Sequence, residues 1–95
     1  MGKLFVIDGT DGSGKQTQFN KLKERFDKEN IEYRVASFPN YDHKSSSLVK
    51  MYLGGEFGTE AKQVSPYIAS TFYAADRYAT FKRYYEDYYN NGGII

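Results

Sequence analysis

Four consecutive apolar residues, Leu4-Phe5-Val6-Ile7, stand near the amino terminus and stop at Asp8-Gly9. An unbroken run of this length predicts a parallel strand covered on both faces, because a half-exposed strand alternates and a buried helix needs more residues. From Lys15 the period changes. Phe19, Leu22 and Phe26 recur at i, i+3 and i+7, which predicts a helix that lays one face on the sheet. Tyr33 to Phe38 is rich in aromatic, β-branched and small residues and is halted by Pro39-Asn40, the pattern of a second strand ending in a turn.

The Ser45-Ser46-Ser47 cluster predicts the start of a short helix through Leu48, Met51 and Tyr52, stopped by Gly54-Gly55 and followed by a loop through Gly58. Ser65-Pro66 combines a capping hydroxyl with proline at the first helical position, so a long helix is expected from there to about Tyr89. Ile68, Phe72, Ala75 and Ala79 define its expected inward face, and Lys82, Arg83, Glu86 and Asp87 its wet side. Asn90-Asn91-Gly92-Gly93 then breaks the helix, and Ile94-Ile95 reads as the opening of a third strand. The tyrosine-rich end of the long helix is the one compositional bias, and no internal repeat is present.

At 95 residues the chain is expected to form one domain at most. Thirteen basic and twelve acidic residues give a net charge of +1, which argues against a broad nucleic-acid or membrane footprint and for a local anion site. The lack of cysteine removes disulfide frameworks and thiolate metal clusters, as suits a reducing compartment. The apolar run at Leu4 is too short and too close to the amino terminus for a signal peptide or a membrane span. A myristoylation signal after Gly2 would want Ser or Thr at position 6, where the chain has Val6. A cytoplasmic location without membrane attachment is therefore expected.

The chemistry concentrates in Gly9-Thr10-Asp11-Gly12-Ser13-Gly14-Lys15-Gln16-Thr17. Gly9-x4-Gly14-Lys15 between a predicted strand and a predicted helix is the context of a phosphate loop. Its glycines let successive backbone N–H groups point at an anion, the helix amino terminus adds partial positive charge, and Lys15 supplies a compact cation for the outer phosphates. Gln16 stands where a magnesium-binding hydroxyl is usual, and Thr17 lies about 100° further round the helix. Magnesium keeps several waters and leans on substrate phosphates, so the substitution weakens one metal contact and leaves the cradle. Asp11 would be repelled by a nearby phosphate. Three roles stay open for it: capping the Asp11-Gly12 turn, accepting from a sugar hydroxyl of a second substrate, or helping to hold the metal.

Together, Asp8-Gly9-Thr10-Asp11-Gly12-Ser13-Gly14-Lys15 with Thr17-Gln18, then Phe38-Pro39-Asn40-Tyr41, then Phe72-Tyr73-Ala74-Ala75-Asp76-Arg77, make the chain resemble the amino-terminal half of the thymidylate kinases. The resemblance covers all 95 residues. It implies an α/β, three-layer fold of the P-loop nucleoside triphosphate hydrolase type, present as an incomplete amino-terminal part whose parallel sheet runs 2-3-1-4-5. Residues 1–95 would then be a partial nucleoside-monophosphate kinase domain.

The implied activity is ATP-dependent phosphorylation of dTMP to dTDP with Mg2+, in a homodimer of the whole protein. Lys15 and Asp11 would be its catalytic pair, and residues 9–17 would hold the ATP phosphates. Asp11, Phe38, Pro39, Tyr41, Tyr73 and Arg77 would form the dTMP site, and Asp11 and Thr17 are the candidate metal ligands. Tyr73 and Arg77, four apart, share a helix face. In the family the first stacks on thymine and the second bonds the base, a donor-only guanidinium suiting the thymine O4 acceptor. Gln16 followed by Thr17 is a tolerated form in the family, whereas the arginine that some members carry near Tyr41 has no counterpart here. Asp76-Arg77-Tyr78 spells a motif that the family places after its third strand, but it lies within a predicted helix and before Ile94, which excludes that role. With only Ile94 and Ile95 of the third strand, residues 1–95 alone are expected to be inactive. The alternatives are a nucleotide-binding fragment or module without turnover and a kinase for another deoxynucleoside or nucleoside monophosphate.

Overall fold

The amino-terminal loop passes into helix at Gly14, and the reason is local. Gly14 sits at φ 85°, a left-handed conformation that an L-residue adopts only at a cost, and caps α1, Lys15–Lys28. The helix stops through a second left-handed residue, Asn30 at φ 57°. The Ile31 N–H returns to the Phe26 carbonyl at 2.9 Å and the Asn30 N–H to that of Asp27 at 3.2 Å, which satisfies carbonyls the last turn would otherwise leave orphaned. The computed structural model describes residues 1–10 and 12–95. It divides into two units, Met1–Val35 with Asp87–Ile95, and Ala36–Glu86.

In the first unit the apolar face of α1 meets the flanking segments as its spacing predicts. The Phe26 ring lies 5.9 Å from that of Phe5, edge to face, and 5.5 Å from that of Tyr33. Phe19 and Leu22 join them around a small hollow. The sheet expected beneath this helix is not formed among the described residues. In its place stands one parallel bridge between Lys3 and Ile94. The Lys3 N–H donates to Gly93 O at 3.1 Å, the Ile95 N–H to Lys3 O at 2.9 Å and the Phe5 N–H to Ile95 O at 2.8 Å. On its other side the Ile94 carbonyl accepts from the Arg34 N–H at 2.9 Å, so Ile94 lies between the segments of Lys3 and Arg34. Leu4–Ile7 and Tyr33–Phe38, expected as strands, carry no strand ladder. A parallel ladder needs a partner several residues long, and only Ile94 and Ile95 run alongside. The run expected to be covered on both faces is accordingly open to solvent, Val6 to 76%.

The second unit is helical. A single turn of 3-10 helix, Lys44–Ser46, is capped by His43, whose Nδ1 accepts the Ser45 N–H at 3.2 Å, and leads into α2, Ser47–Leu53. Gly54 ends α2 as its position predicts. The loop beyond Gly58 contains a further 3-10 turn, Ala61–Gln63, closed by reciprocal Glu60 and Gln63 hydrogen bonds. The third α-helix, α3, Pro66–Tyr84, starts where Ser65-Pro66 places it, the Ser65 hydroxyl accepting the Tyr67 N–H at 3.2 Å. It does not run to Tyr89. Tyr85, at φ −124° and ψ −21°, leaves helical geometry, and a separate short helix, α4, Glu86–Asn90, follows. The flanks on both sides keep the same aromatic and charged pattern, so periodicity cannot reveal a one-residue interruption.

The inward face of α3 also differs from expectation. Ala69, Asp76 and Thr80 are buried with Val49, Val64 and Ser46, while Ile68 is 55% exposed and Ala75 is exposed. The face is turned by about one residue because two polar side chains, Asp76 and Thr80, find hydrogen-bond partners inward. The Phe72 ring keeps its expected place, 5.6 Å from that of Phe57 and 6.2 Å from that of Tyr52.

Candidate nucleotide site

The loop before α1 is shaped by its own main chain. The Gly9 N–H donates to Asp8 Oδ1 at 2.8 Å and the Ser13 N–H to Thr10 O at 3.1 Å, closing a turn. Gly12 and Gly14 both take positive φ, 77° and 85°, and nothing lies within 4 Å of where a Cβ would stand on either. Amide groups thus border open space at the amino end of a fourteen-residue helix, where the macrodipole favours an anion. Lys15 turns back over the loop, its Nζ 2.9 Å from the Gly9 carbonyl, so its charge stays on the loop side. Gln16 instead uses its amide along the helix, donating to Asn20 Oδ1 at 3.1 Å. Thr17 is exposed in the first turn. The roles expected of Asp11 lie outside the described residues.

The residues expected to hold the acceptor lie in the Ala36–Glu86 unit. The chain bends at Phe38-Pro39, joined by a cis peptide bond. Phe38 and Tyr41 are 40% and 47% exposed, and Tyr73 is half-buried on α3. Partial burial pushes the Tyr73 phenol above its ordinary range, and the neighbouring Tyr41 and Tyr52 phenols push it further in the same direction. Tyr73 therefore stays protonated and can donate as well as stack. The Tyr41 and Tyr52 phenols thus lie near enough to that of Tyr73 to act on it electrostatically, although Tyr41 and Tyr73 are 32 residues apart in the chain. Arg77 is exposed and makes no ion pair among the described residues.

What fastens this region is a buried polar knot that sequence reasoning missed. Asp76 is fully buried and uses both carboxylate oxygens: Oδ2 accepts the Asn40 backbone N–H at 2.9 Å, and Oδ1 accepts the Ser45 hydroxyl at 2.5 Å. Thr80 Oγ1, one turn on, receives the Asn40 side-chain amide at 3.4 Å and lies 3.2 Å from Ser45 Oγ. A signal was present, since Asp76 and Thr80 share with Ala69 a helical face that would otherwise read as apolar. Its partners, 31 to 40 residues earlier, are invisible to local pattern.

Among the described residues no three acidic or histidine side chains gather into a metal site, and no helix is long and apolar enough to cross a membrane. A family model described as thymidylate kinase matches residues 7–95. "Putative thymidylate kinase 251L" of Invertebrate iridescent virus 6 is 40% identical over 55 residues, which make up 58% of this chain and 26% of that protein. The matched stretch thus spans about a quarter of that relative's length. No solved structure matches the chain.

Proposed function

The chain belongs to the thymidylate kinase family, and on that premise we propose that the protein moves the γ-phosphoryl group of ATP onto the phosphate of dTMP, giving dTDP and ADP. The observation that carries the acceptor assignment is the placing of half-buried Tyr73 and exposed Arg77 one turn apart on α3, whose Asp76 also bonds the Asn40 N–H next to Tyr41. Tyr73 would stack on the pyrimidine, a contact typically worth about 1–3 kcal/mol per base. Arg77 would donate to thymine O4, which the amino group of cytosine cannot accept. Phe38 and Pro39 would border the base, and Tyr41 would donate near the acceptor phosphate.

On the donor side, the amides of residues 9–14 and Lys15 would hold the ATP phosphates, with Lys15 and Asp11 as the catalytic pair. Phosphoryl transfer asks the protein for positioning and charge stabilisation rather than covalent chemistry, and this is what a glycine loop and one lysine provide. Magnesium, bound with ATP, neutralises developing phosphate charge. Thr17 and Asp11 are the groups that would reach it. The bridge at Lys3–Ile94 and the bond from Arg34 to Ile94 support the first, third and second segments as neighbours in the parallel sheet of a P-loop fold. Tyr67 and Tyr78, both largely exposed on α3, support a homodimer of the whole protein.

A coupled assay of ADP release across dTMP, dUMP, dCMP and AMP tests the reading, with preference for dTMP expected. Equal rates on all four would count against it. The second reading, a nucleotide-binding module without turnover, is favoured by one observation, the diversion of Gln16 to Asn20. Calorimetry separates the two. ATP binding lost in Lys15→Ala and dTMP binding lost in Arg77→Ala support the kinase, whereas a protein that binds ATP but never dTMP supports the module.

A further inference from the structure

The buried carboxylate of Asp76 is an odd choice for stability alone. The unit that contains it buries few apolar side chains among the described residues, Val49, Val64 and Ala69, and a well-packed apolar residue at such a site is commonly as stabilising as a buried charge or more so. Its geometry suits another purpose. Asp76 lies three residues after Tyr73 and one before Arg77 on α3, and its two oxygens are taken by Asn40 and Ser45. Those partners flank Tyr41 in the chain. Tyr41 and Phe38 are too exposed for packing alone to fix them. The bond from the Asn40 N–H immediately precedes Tyr41, and the Ser45 bond anchors the turn that follows it.

We propose that Asp76 is a positioning residue for the acceptor site: it ties the Phe38–Tyr41 turn to α3 so that Tyr41, Tyr73 and Arg77 form one preset surface for a pyrimidine nucleoside monophosphate. This rests on the acceptor reading given above. Asp76 touches no nucleotide itself. Its value is to set the order of the surface before binding, which lowers the ordering cost that a ligand would otherwise meet. The hydrogen-bond chemistry makes the claim specific. The Asn40 backbone N–H can only donate, so it needs an acceptor, while the Ser45 hydroxyl can donate or accept. An asparagine at position 76 can therefore turn its oxygen to Asn40 and its amide to Ser45, with the Ser45 hydroxyl redirected to Thr80. Alanine can do neither.

The test measures dTMP and ATP affinity by calorimetry on the full-length protein and its Asp76→Asn and Asp76→Ala variants, with the Asn40 amide proton followed by NMR. Asp76→Asn is expected to keep dTMP affinity within about threefold. Asp76→Ala is expected to lose about tenfold or more, with ATP affinity unchanged and the Asn40 amide resonance moved upfield. If Asp76→Ala does not fold, Ser45→Ala combined with Thr80→Val removes the Ser45 and Thr80 contacts of the knot and leaves only the Asn40 N–H bond to Asp76; it is expected to weaken dTMP binding while sparing ATP. Unchanged dTMP affinity in a folded Asp76→Ala variant overturns the inference, as does an equal loss for both nucleotides or a failure of Asp76→Asn to rescue. A wild-type protein that binds ATP but no dTMP overturns the acceptor reading instead, and with it the ligand this inference serves.

Discussion

Lys15 offers the sharpest residue-level test, because its side chain is exposed and, among the described residues, bonds to the Gly9 carbonyl of its own loop. Lys15→Ala should leave helix content by circular dichroism unchanged and reduce phosphoryl transfer by about a hundredfold or more, the scale seen when a preorganised charge donor is removed. The loop glycines separate two kinds of cost. An added Cβ at Gly14 meets nothing within 4 Å, so Gly14→Ala should cost about 1–2 kcal/mol through its left-handed φ alone. At Gly9 the added Cβ would meet the Ser13 hydroxyl at 2.5 Å, and the side chain must shift. Urea titration of the two variants, read beside ATP calorimetry, checks both. The start of α1 at Lys15 was legible in sequence because the glycines, the lysine and the apolar spacing after them are all local, whereas the strand expected before the loop is not formed. Asp76 was not, because its meaning depends on Asn40 and Ser45, which only the fold brings to it.

Helix boundaries show the same division between local and distant causes. Ser65-Pro66 announced the start of α3 because capping is a contact within three residues, and the glycine–lysine loop with the apolar spacing after Lys15 announced that of α1. The stop at Asn30 was missed although its physics is equally local, since asparagine signals a left-handed cap less strongly than glycine. The turn of α3 by one residue was out of reach, being set by hydrogen bonds across more than thirty residues. Strands fared worst: Leu4–Ile7 has the composition of a buried strand, but a strand exists only with its partner. Two variants weigh the helical contacts. Ser65→Ala should lower stability by about 1 kcal/mol through the lost cap, without changing where α3 packs. Val49→Ala, at a fully buried position on α2, should cost about 2 kcal/mol from two lost methyl groups and the space they leave. Urea melts of the Ser65 and Val49 variants, compared at equal m-value, give both figures.

For the molecule as a whole, the deciding fact is where apolar surface is buried. Val49, Val64 and Ala69 all belong to the Ala36–Glu86 unit, whereas α1 contains no buried residue. In the other unit Leu4, Phe5, Val6 and Ile7 all remain substantially exposed. Cooperative unfolding requires enough burial to offset a conformational entropy of roughly 1–2 kcal/mol per ordered residue. One parallel bridge and a few aromatic contacts beneath α1 fall short of that. Residues 1–95 prepared in isolation should therefore show a broad urea transition, binding of a hydrophobic dye, and a tendency to associate through the exposed Leu4–Ile7 segment. Such a chain would hold the loop before α1 loosely, so no turnover of ATP with dTMP is expected from residues 1–95 alone. A sharp melt together with ordinary kinase rates from the 95-residue chain would refute this account, because burial as sparse as that around α1 would then suffice to order the loop before it.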